Sequence, residues 1–492
     1  DRTDPVTGDA VIDVEYTNAP VKGQLKIYKQ GEVLKGFDKD FQYEMAGLAG
    51  AEFEVYAAED IYTADHQVDA DGQRTLYFAK DALVATVTTD ADGYATVKNL
   101  PLGRYYVKEK NAPDTYVLNT VPENVEFAYA DQDTAVIEKE ISVTDERQKV
   151  SITVEKQDAE TGNEAQGDAT LEGAVYGLYA REDIVHPDGR TGTIHKKDSL
   201  ITSLTTDKNG EASVSDLYLG KYYLKELSAP VGYVLDPTEH DVDCTYEGAT
   251  VPTVERTSVC KETVIKQPFQ IIKAANNGKT DADLLQGVGF SAWLVSDLKV
   301  KADGSYDFDS ARPVVLTADG QTEMFTDEKG YARSIPLPYG TYVVRETTSK
   351  HNYAPVDDFV VKITENHPDT PQTWRVLLDK EFKAKLKIIK KDAETQKSVL
   401  LANTEFKVYD LDNQKYVEQT TSYPKPTVHK SYFTNEEGYL VLPKNLKPGN
   451  YRIEEVTAPD GYTISKNYVT VAVDTDTAYL TDPVTGLSLI HI

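Results

Sequence analysis

Four lysines occupy the same position in four similar segments, and a glutamate accompanies each of them. Each lysine is the fifth residue of an alternating segment (LKIYK, ITVEK, FQIIK and LKIIK), and the four are Lys29, Lys156, Lys273 and Lys390. Each glutamate ends the pattern Gly-x-Tyr-x-(Val/Leu/Ile)-x-Glu, and the four are Glu109, Glu226, Glu346 and Glu455. Because residues two apart in a strand share a face, the lysines and glutamates share the apolar face. They are therefore predicted to point into the core.

An inward lysine and an inward glutamate allow two hypotheses. Isolated charges are costly to bury, so the simpler hypothesis is a buried Lys–Glu ion pair. Burial also lowers the pKa of a lysine and raises that of a glutamate, so the two can rest as a neutral amine and a carboxylic acid. A neutral amine is a nucleophile. The second hypothesis is therefore that the lysine is consumed in a reaction, which requires an acceptor at a fixed spacing.

A candidate acceptor lies eleven residues before each lysine. The four acceptors are Asn18, Asp145, Glu262 and Asp379. Each ends the strand that precedes the next lysine segment, so each is assigned to the earlier repeat. Glu262 is one methylene longer than an aspartate and departs from the pattern.

The elements that must position these residues are strands. The lysines are 127, 117 and 117 residues apart, so each repeat has about 120 residues. Alternation and the turn phrases TTDADGYA, TTDKNGEA, FTDEKGYA and FTNEEGYL predict strands joined by hairpins, in an all-β array of sandwich domains. The predicted divisions are a closing strand of a preceding repeat (1–18) and repeats 1 to 4, at 19–146, 147–262, 263–380 and 381–492, the last truncated at its C-terminus. Asp90 and Asp92 in the first turn lack the other ligands of a calcium loop, so no metal is predicted.

Several phrases recur in order along nearly the whole chain. They include LAGAEFEVY at Leu48, LEGAVYGLY at Leu171, LANTEFKVY at Leu401 and the box Tyr-x-x-x-Glu-x-x-Ala-Pro-x-Gly-Tyr. The chain thereby resembles the collagen-adhesin B-type repeat, also called the SpaA-like or pilin isopeptide domain, of Gram-positive surface proteins. The resemblance implies tandem prealbumin-like (reverse immunoglobulin-like) β-sandwiches, in which a first-strand lysine forms an amide with a last-strand Asn or Asp. The glutamate of the box promotes this reaction, which happens once and is autocatalytic.

Carried over residue by residue, the resemblance implies two cross-links within the chain. Lys29 is expected to join Asp145 with the help of Glu109. Lys273 is expected to join Asp379 with the help of Glu346, although TTSKHNY replaces the end of the box in repeat 3.

The first predicted acceptor and the last predicted lysine are each expected to have a partner outside the sequence. Asn18 is expected to be the acceptor of a preceding repeat. Lys390, with Glu455 beside it, is expected to have its partner outside the chain.

Repeat 2 departs from the family at the set Lys156, Glu226 and Glu262, and a cross-link there stays open. The same repeat holds the only two cysteines, Cys244 and Cys260. Both align with inward positions on the last two strands. Two alternatives remain, a disulfide that replaces the amide and a pair of buried free thiols.

Composition excludes several classes of function. The 492 residues carry 52 Lys and Arg against 81 Asp and Glu, a net charge of -29, which disfavours nucleic acids and anionic membranes as partners. No apolar run is long enough to span a membrane, and no signal peptide opens the chain. The eight histidines are scattered, and the sequence has no Ser/His/Asp context, no phosphate-binding glycine loop and no metal-ligand spacing. Neither an enzyme nor a cofactor is predicted.

The predicted function is an extracellular stalk that holds an adhesive tip away from the cell wall. We expect anchoring through a C-terminus not present here, contacts with neighbouring repeats of the same protein, and host matrix or host-cell binding through a tip domain outside the chain. One alternative is a sortase-polymerised pilin, because Tyr423-Pro424-Lys425 resembles the lysine motif of such subunits. Another is that the repeats themselves bind a host ligand.

The two ends of the sequence share the phrase TDPVTG, at Thr3 and Thr481. This match indicates a longer protein that repeats the block of four domains. The final residues, Leu487 to Ile492, abandon the expected continuation and are interpreted as non-native. Repeat 4 is then predicted to be open along its first strand, with weak head-to-tail association through the segment that ends at Asn18.

Overall fold

The computed structural model describes residues 3–4, 6–276 and 283–478. In its strands, the alternation of apolar and polar residues in the sequence corresponds to an alternation of buried and more exposed side chains. In the first strand every second residue from Gly23 to Val33 is buried, and Leu25 and Ile27 have no exposed surface. Side chains of a strand point alternately to its two faces, so this face forms the core and carries Lys29 with it. The chain divides into two compact units, which are described separately: repeats 1 and 2 form the first, and repeats 3 and 4, with residues 165–169 and 232–234, form the second.

Each repeat of the first unit is a sandwich of two sheets. Repeat 1 consists of β1 (Lys22–Phe37), β2 (Phe41–Gly47), β3 (Glu52–Ala57), β4 (Ile61–Tyr62), β5 (Leu76–Phe78), β6 (Leu83–Thr88), β7 (Tyr94–Pro101), β8 (Gly103–Asn111), β9 (Glu123–Phe127) and β10 (Val136–Thr144). Repeat 2 consists of β11 (Lys149–Asp158), β12 (Val175–Ala180), β13 (Ile184–Val185), β14 (Thr193–His195), β15 (Leu200–Thr205), β16 (Glu211–Leu217), β17 (Gly220–Ser228), β18 (Glu239–Cys244) and β19 (Thr253–Glu262). In repeat 1 the sheet β10-β1-β2, with β7 also on β1, faces the sheet β6-β3-β8-β9. In repeat 2 β16-β11-β19 faces β15-β12-β17-β18, and each core draws on both sheets.

The second unit repeats this arrangement with shorter strands. Repeat 3 consists of β20 (Lys266–Gln267), β21 (Gln270–Asn276), β22 (Asp283–Leu284), β23 (Gly289–Leu294), the 3-10 turn Val295–Asp297, β24 (Lys299–Val300), β25 (Tyr306–Asp307), the 3-10 turn Phe308–Ser310, β26 (Glu323–Phe325), β27 (Tyr331–Arg333), β28 (Leu337–Pro338), β29 (Gly340–Thr348), β30 (Tyr353–Ala354), β31 (Phe359–Ile363) and β32 (Arg375–Glu381). Repeat 4 consists of β33 (Lys387–Ile389), β34 (Glu405–Asp410), β35 (Lys415–Tyr416), β36 (Gln419–Thr421), β37 (Thr427–His429), β38 (Tyr432–Phe433), β39 (Tyr439–Val441), β40 (Gly449–Thr457), β41 (Val469–Val473) and the helix α1 (Thr475–Ala478). No helix in the described part of the chain is long and apolar enough to cross a membrane.

The first and last strands of repeats 1 to 3 are parallel neighbours. β1 pairs with β10, β11 with β19 and β21 with β32. In repeat 4, within the described residues, β33 pairs only with β39. The predicted closing strand of repeat 4, the second TDPVTG phrase at Thr481 and the segment from Leu487 to Ile492 lie outside the described residues.

The Asp-Gly turns form, but the predicted hairpins are wrong. In the first turn Gly93 N donates to Asp90 O (3.0 Å), and Gly93 adopts a φ of 85° that a side chain would strain. The strands that flank this turn, β6 and β7, belong to opposite sheets, as do β15 and β16, β26 and β27, and β38 and β39. The turn therefore carries the chain across the sandwich instead of pairing its two neighbours.

A four-residue linker, residues 145–148, joins the two repeats of the first unit and is held by hydrogen bonds. The guanidinium of Arg147 donates to Leu217 O (2.9 Å) and Asp216 O (2.8 Å) of repeat 2. The Gln148 side chain donates to Gly248 O (2.9 Å) and is also buried. Buried polar groups that are satisfied in this way fix the direction in which the chain leaves repeat 1.

A second group of side chains packs across the same boundary. His186 of repeat 2 is buried, its Nε2 lies 2.8 Å from Glu32 Oε1 of repeat 1, and its ring stacks on Tyr43 with centroids 4.5 Å apart. The Tyr218 hydroxyl also donates to Glu32 Oε1 (3.2 Å), and Arg147 Nε lies 3.4 Å from that oxygen. We call the linker and this group the repeat 1–repeat 2 joint.

Candidate cross-linking sites

The predicted lysine, glutamate and aspartate of repeat 1 come together in its core. Lys29 Nζ lies 2.7 Å from Glu109 Oε1 and contacts Asp145 Oδ1. All three side chains have 0% exposed surface. Lys29 is on β1, Glu109 on β8 of the facing sheet, and Asp145 directly follows β10. The triad therefore connects both sheets and both terminal strands of the repeat.

Repeat 3 has the same triad. Lys273 Nζ lies 2.9 Å from Glu346 Oε2 and contacts Asp379 Oδ1, and all three side chains have 0% exposed surface. The altered sequence TTSKHNY follows Glu346 and leaves the triad in place.

Strand register explains why each acceptor reaches its lysine. In the parallel pairs, Lys29 lies opposite Val143 and Lys273 lies opposite Leu377. In both repeats the acceptor is two residues beyond that position, so it keeps the inward face and lies one step further along the last strand. The spacing of eleven residues is a different relation, because it runs from each acceptor across the linker to the lysine of the following repeat.

Each glutamate is held by a backbone N–H that sequence reasoning missed. The donor is always ten residues further along the chain, in the loop after the glutamate strand. The pairs are Asn119 N to Glu109 Oε2 (2.9 Å), Asp236 N to Glu226 Oε2 (2.8 Å), Val356 N to Glu346 Oε2 (3.2 Å) and Ser465 N to Glu455 Oε2 (2.6 Å). In repeats 1, 2 and 4 this holds Oε2 and leaves Oε1 toward the lysine, whereas in repeat 3 Oε2 of Glu346 both accepts from the backbone and lies nearest the lysine. The constant length of the box and its loop was the available signal.

The acceptors of repeats 1 and 3 titrate far from ordinary aspartates. Burial raises the pKa of Asp145 to about 7 and that of Asp379 to about 6, although the adjacent lysine lowers both. Near neutral pH about half of the Asp145 carboxyl and a smaller fraction of the Asp379 carboxyl are therefore protonated. A protonated carboxyl is the better electrophile for an amine, so burial prepares the chemistry that the sequence suggested.

Repeat 2 assembles a related site with different residues. Lys156 Nζ contacts Glu262 Oε2 and lies 3.8 Å from Glu226 Oε1, and these side chains are at most 1% exposed. The Tyr176 hydroxyl donates to Glu262 Oε1 (2.6 Å). Sequence reasoning missed Tyr176, because a tyrosine in an alternating strand is also an ordinary core residue.

The two cysteines are buried free thiols, so the disulfide alternative is wrong. Cys244 lies opposite Gly220, the first residue of β17, whereas Cys260 lies opposite Lys156. The Lys156 amine lies near Glu226, six residues further along β17. The two cysteines are thus about 20 Å apart along the sandwich, at about 3.3 Å per residue, and a disulfide needs Cα atoms within about 7 Å. Burial raises the pKa of both thiols, that of Cys244 to about 12.

The outer predicted residues lie in more open surroundings. Lys390 Nζ is 2.8 Å from Glu455 Oε1, and its side chain is 16% exposed. Asn18 is exposed and belongs to no strand. In the first turn Asp90 Oδ1 accepts hydrogen bonds from Asp92 N (3.0 Å) and Tyr94 N (2.9 Å), which gives this aspartate a role in the turn itself. Across the described residues, no group of three or more His, Cys, Asp or Glu could hold a metal ion.

A family model described as SpaA, prealbumin-like fold domain, matches residues 37–145, 150–257, 269–375 and 384–484. The trypsin-resistant surface T6 protein of Streptococcus pyogenes is 30% identical over 121 residues, which are 25% of this chain and 19% of that protein. The chain thus spans about a fifth of the length of this curated relative.

Solved structures include the Bacillus anthracis TIE protein, with 19% identity, a TM-score of 0.33, and coverage of 91% of this chain and 70% of that one. They also include BcpA, the major pilin subunit of Bacillus cereus, with 13% identity, a TM-score of 0.27, and coverage of 73% and 99%.

Proposed function

Because the chain belongs to the SpaA family of prealbumin-like domains, we propose that it is a load-bearing stalk segment of a Gram-positive surface protein. Amide bonds from Lys29 to Asp145 and from Lys273 to Asp379 stiffen it. The stalk lies outside the cell, is anchored to the wall by a part of the protein beyond this chain, and presents a host-binding region that is also beyond it. Each triad reacts once and is consumed, so the chain is a structural protein and not an enzyme.

The observation that carries this proposal is the buried lysine–aspartate contact between parallel first and last strands. Tension enters repeat 1 through β1 and leaves it through β10, so it shears the hydrogen bonds between these two strands. Each such bond contributes only about 1 kcal/mol net. An amide from Lys29 to Asp145 takes the load instead, and the residues between them are shielded from it.

The chemistry balances without any further reactant. A proton passes from the Lys29 ammonium to the Asp145 carboxylate, which gives an amine and a carboxylic acid. The amine attacks Cγ of Asp145, so that the Nζ–Cγ bond forms. Glu109 takes a proton from the nitrogen and delivers one to the departing oxygen, the Cγ–O bond breaks, and water leaves. Glu346 has the same role in repeat 3.

Single-molecule stretching of the full chain tests this function. Without an amide, the 117 residues from Lys29 through Asp145 would add about 400 Å of extended chain when repeat 1 unfolds. We expect the parent protein to lack this extension for repeats 1 and 3, and Glu109→Gln to restore it for repeat 1 alone. Full extension of both repeats in the parent protein would reject the proposal.

A second candidate function, a sortase-polymerised pilin, is favoured by the position of Lys425. This residue is exposed in the loop between β36 and β37, next to Pro424 and to Tyr423, which is 88% exposed. Its amine is therefore accessible to an acyl-enzyme. Incubation with a pilin sortase and a sorting-signal peptide should attach the peptide to Lys425. Lys425→Arg should prevent attachment, whereas Lys430→Arg, an exposed neighbour, should not. Labelling that is equal in both variants would rule this function out.

A further inference from the structure

We propose that repeat 2 is also cross-linked, by an amide between the Lys156 amine and the Glu262 side-chain carboxyl that Tyr176 and Glu226 promote. This inference rests on the proposed function, because it extends the same chemistry to a glutamate acceptor. The product is a side-chain amide one methylene longer than those of repeats 1 and 3.

Glu262 occupies the acceptor position by register. Lys156 lies opposite Cys260 in the parallel pair of β11 and β19, and Glu262 is two residues beyond Cys260. Asp145 and Asp379 stand in the same relation to their own lysines. Lys156 Nζ contacts the Glu262 carboxylate, and both side chains have 0% exposed surface. The longer side chain therefore still reaches the lysine.

Besides its longer acceptor, repeat 2 has a tyrosine where the other repeats have a phenylalanine. In every repeat the strand that pairs with the glutamate strand, in the same sheet, carries an aromatic residue directly opposite the glutamate. These residues are Phe53, Tyr176, Phe290 and Phe406. In repeats 1 and 3 the phenylalanine ring packs near the lysine, with Nζ 5.6 Å and 5.8 Å from the ring centroid. In repeat 2 the added hydroxyl donates to Glu262 Oε1 (2.6 Å). Tyrosine and glutamate thus occur together in the one repeat that departs from the aspartate pattern.

The hydroxyl of Tyr176 is placed to stabilise the charge that develops during attack. Burial and the hydrogen bond to Glu262 raise its pKa, so the phenol keeps its proton and remains a donor. Attack on Cδ of Glu262 converts one carboxyl oxygen into an oxyanion. A donor already directed at that oxygen stabilises the oxyanion more than the starting carboxyl, which is how an oxyanion hole acts.

Glu226 holds the proton that the reaction needs. Burial, and then hydrogen bonding with Glu262, raises the pKa of Glu226 to about 8. At neutral pH Glu226 is therefore mostly a carboxylic acid and can donate its proton. The backbone N–H of Asp236 holds Glu226 Oε2, so Oε1 faces Lys156.

The atoms balance as they do in repeat 1. A proton passes from Lys156 to Glu262, and the amine then attacks Cδ of Glu262. Glu226 accepts a proton from the nitrogen while it donates its own to the departing oxygen. The Nζ–Cδ bond forms, a Cδ–O bond breaks, one water leaves, and Glu226 ends as a carboxylic acid again.

Intact mass and peptide mapping of the full chain test the inference. We expect a mass three waters below the sequence value and a branched peptide that joins Lys156 to Glu262. A deficit of two waters, with branched peptides only from repeats 1 and 3, would overturn the inference and leave the proposed function standing. A mass with no deficit would overturn both.

Variants separate the role of Tyr176 from simple packing. Tyr176→Phe should slow the third loss of water by about 100-fold, the usual effect of removing one oxyanion donor, while repeats 1 and 3 react normally. Tyr179→Phe, on the same strand but outside the site, should behave as the parent. Adding Glu262→Asp to Tyr176→Phe recreates the residue set of repeat 1 and should restore the third loss. Unchanged reaction in Tyr176→Phe would remove Tyr176 from the mechanism, and a double variant that fails to react would contradict the register argument.

Discussion

Removal of the Glu109 carboxyl should leave repeat 1 folded but without its covalent link. Glu109→Gln keeps the size and most of the packing of the side chain, and it keeps the hydrogen bond from Asn119 N to a side-chain oxygen. The amide group cannot exchange protons as the carboxyl does. Lys29 and Asp145 then remain a buried ion pair, and the protein should regain the mass of one water.

The loss of stability follows from the length of chain that the amide closes. A link across a loop of 100 residues removes about 4.7 kcal/mol of chain entropy from the unfolded state. The segment from Lys29 through Asp145 is slightly longer, at 117 residues, and the dependence on length is logarithmic, so the estimate stays at about 5 kcal/mol. At about 4 °C per kcal/mol for a domain of this size, the midpoint of the repeat 1 transition should fall by about 20 °C.

Differential scanning calorimetry of the full chain, after the mass has been checked, measures this shift. Glu126→Gln makes the same chemical change at an exposed position of β9 and should leave both the number of waters lost and the transition unchanged. A Glu109→Gln protein that lacks as many waters, relative to its own sequence mass, as the parent does would contradict this role of Glu109. So would a variant that regains a water but whose transition moves no more than that of the Glu126→Gln control.

Three further outcomes are expected. Burial raises the pKa of Asp145, so in Glu109→Gln the folded state keeps a proton that the unfolded state releases above about pH 4. Denaturant titrations should show the free energy of unfolding of this variant falling relative to the parent as the pH rises from the unfolded to the folded pKa of Asp145. His186→Ala should weaken the repeat 1–repeat 2 joint by about 2 kcal/mol, because it removes a hydrogen bond and a ring stack. The distribution of distances between spin labels on the two repeats should become broader in this variant, whereas it should not change in His66→Ala, at an exposed histidine. Lys390, 16% exposed, should react with an amine reagent in the native protein, whereas the fully buried lysines of the first three repeats should stay unlabelled; protection of Lys390 would contradict its open position.

From the sequence it was easier to predict which side chains of a strand point into the core than to predict which strands pair with one another. The alternation of apolar residues alone placed Lys29 and Glu109 on the inward face, because side-chain direction in a strand repeats every two residues whichever sheet the strand joins. The same parity does not say which strands pair, and the turn at Asp90 was taken for a hairpin although its flanking strands enter opposite sheets. A tight turn fixes only local direction. Hydrophobic contacts across the sandwich decide which sheet receives the next strand.

The errors in repeat 2 have a related cause. Alignment correctly placed Cys244 and Cys260 inward. It could not give their positions along the strand direction, because these depend on the relative register of β17 and β11, which lie in different sheets. Tyr176 escaped notice because its ring satisfies the apolar pattern, and its hydroxyl gains meaning only when Glu262 is brought beside it by a strand 86 residues away. Long-range pairing was the missing information in both cases.

A stalk transmits tension only as well as its least rigid connection, so cross-links within repeats are of limited use if the linkers bend freely. In the first unit the residue that accepts the proposed amide, Asp145, begins the four-residue linker, and Arg147 and Gln148 of that linker are buried and hydrogen-bonded to repeat 2. The load path therefore runs from Lys29 through the amide directly into the clamped linker and on into β11. Glu32, three residues after Lys29 on the same strand, is held from the other side by His186. Glu32 on β1 and the linker after β10 thus connect the repeat 1–repeat 2 joint to the same two strands that the proposed amide would join, which is the arrangement that the proposed stalk function requires.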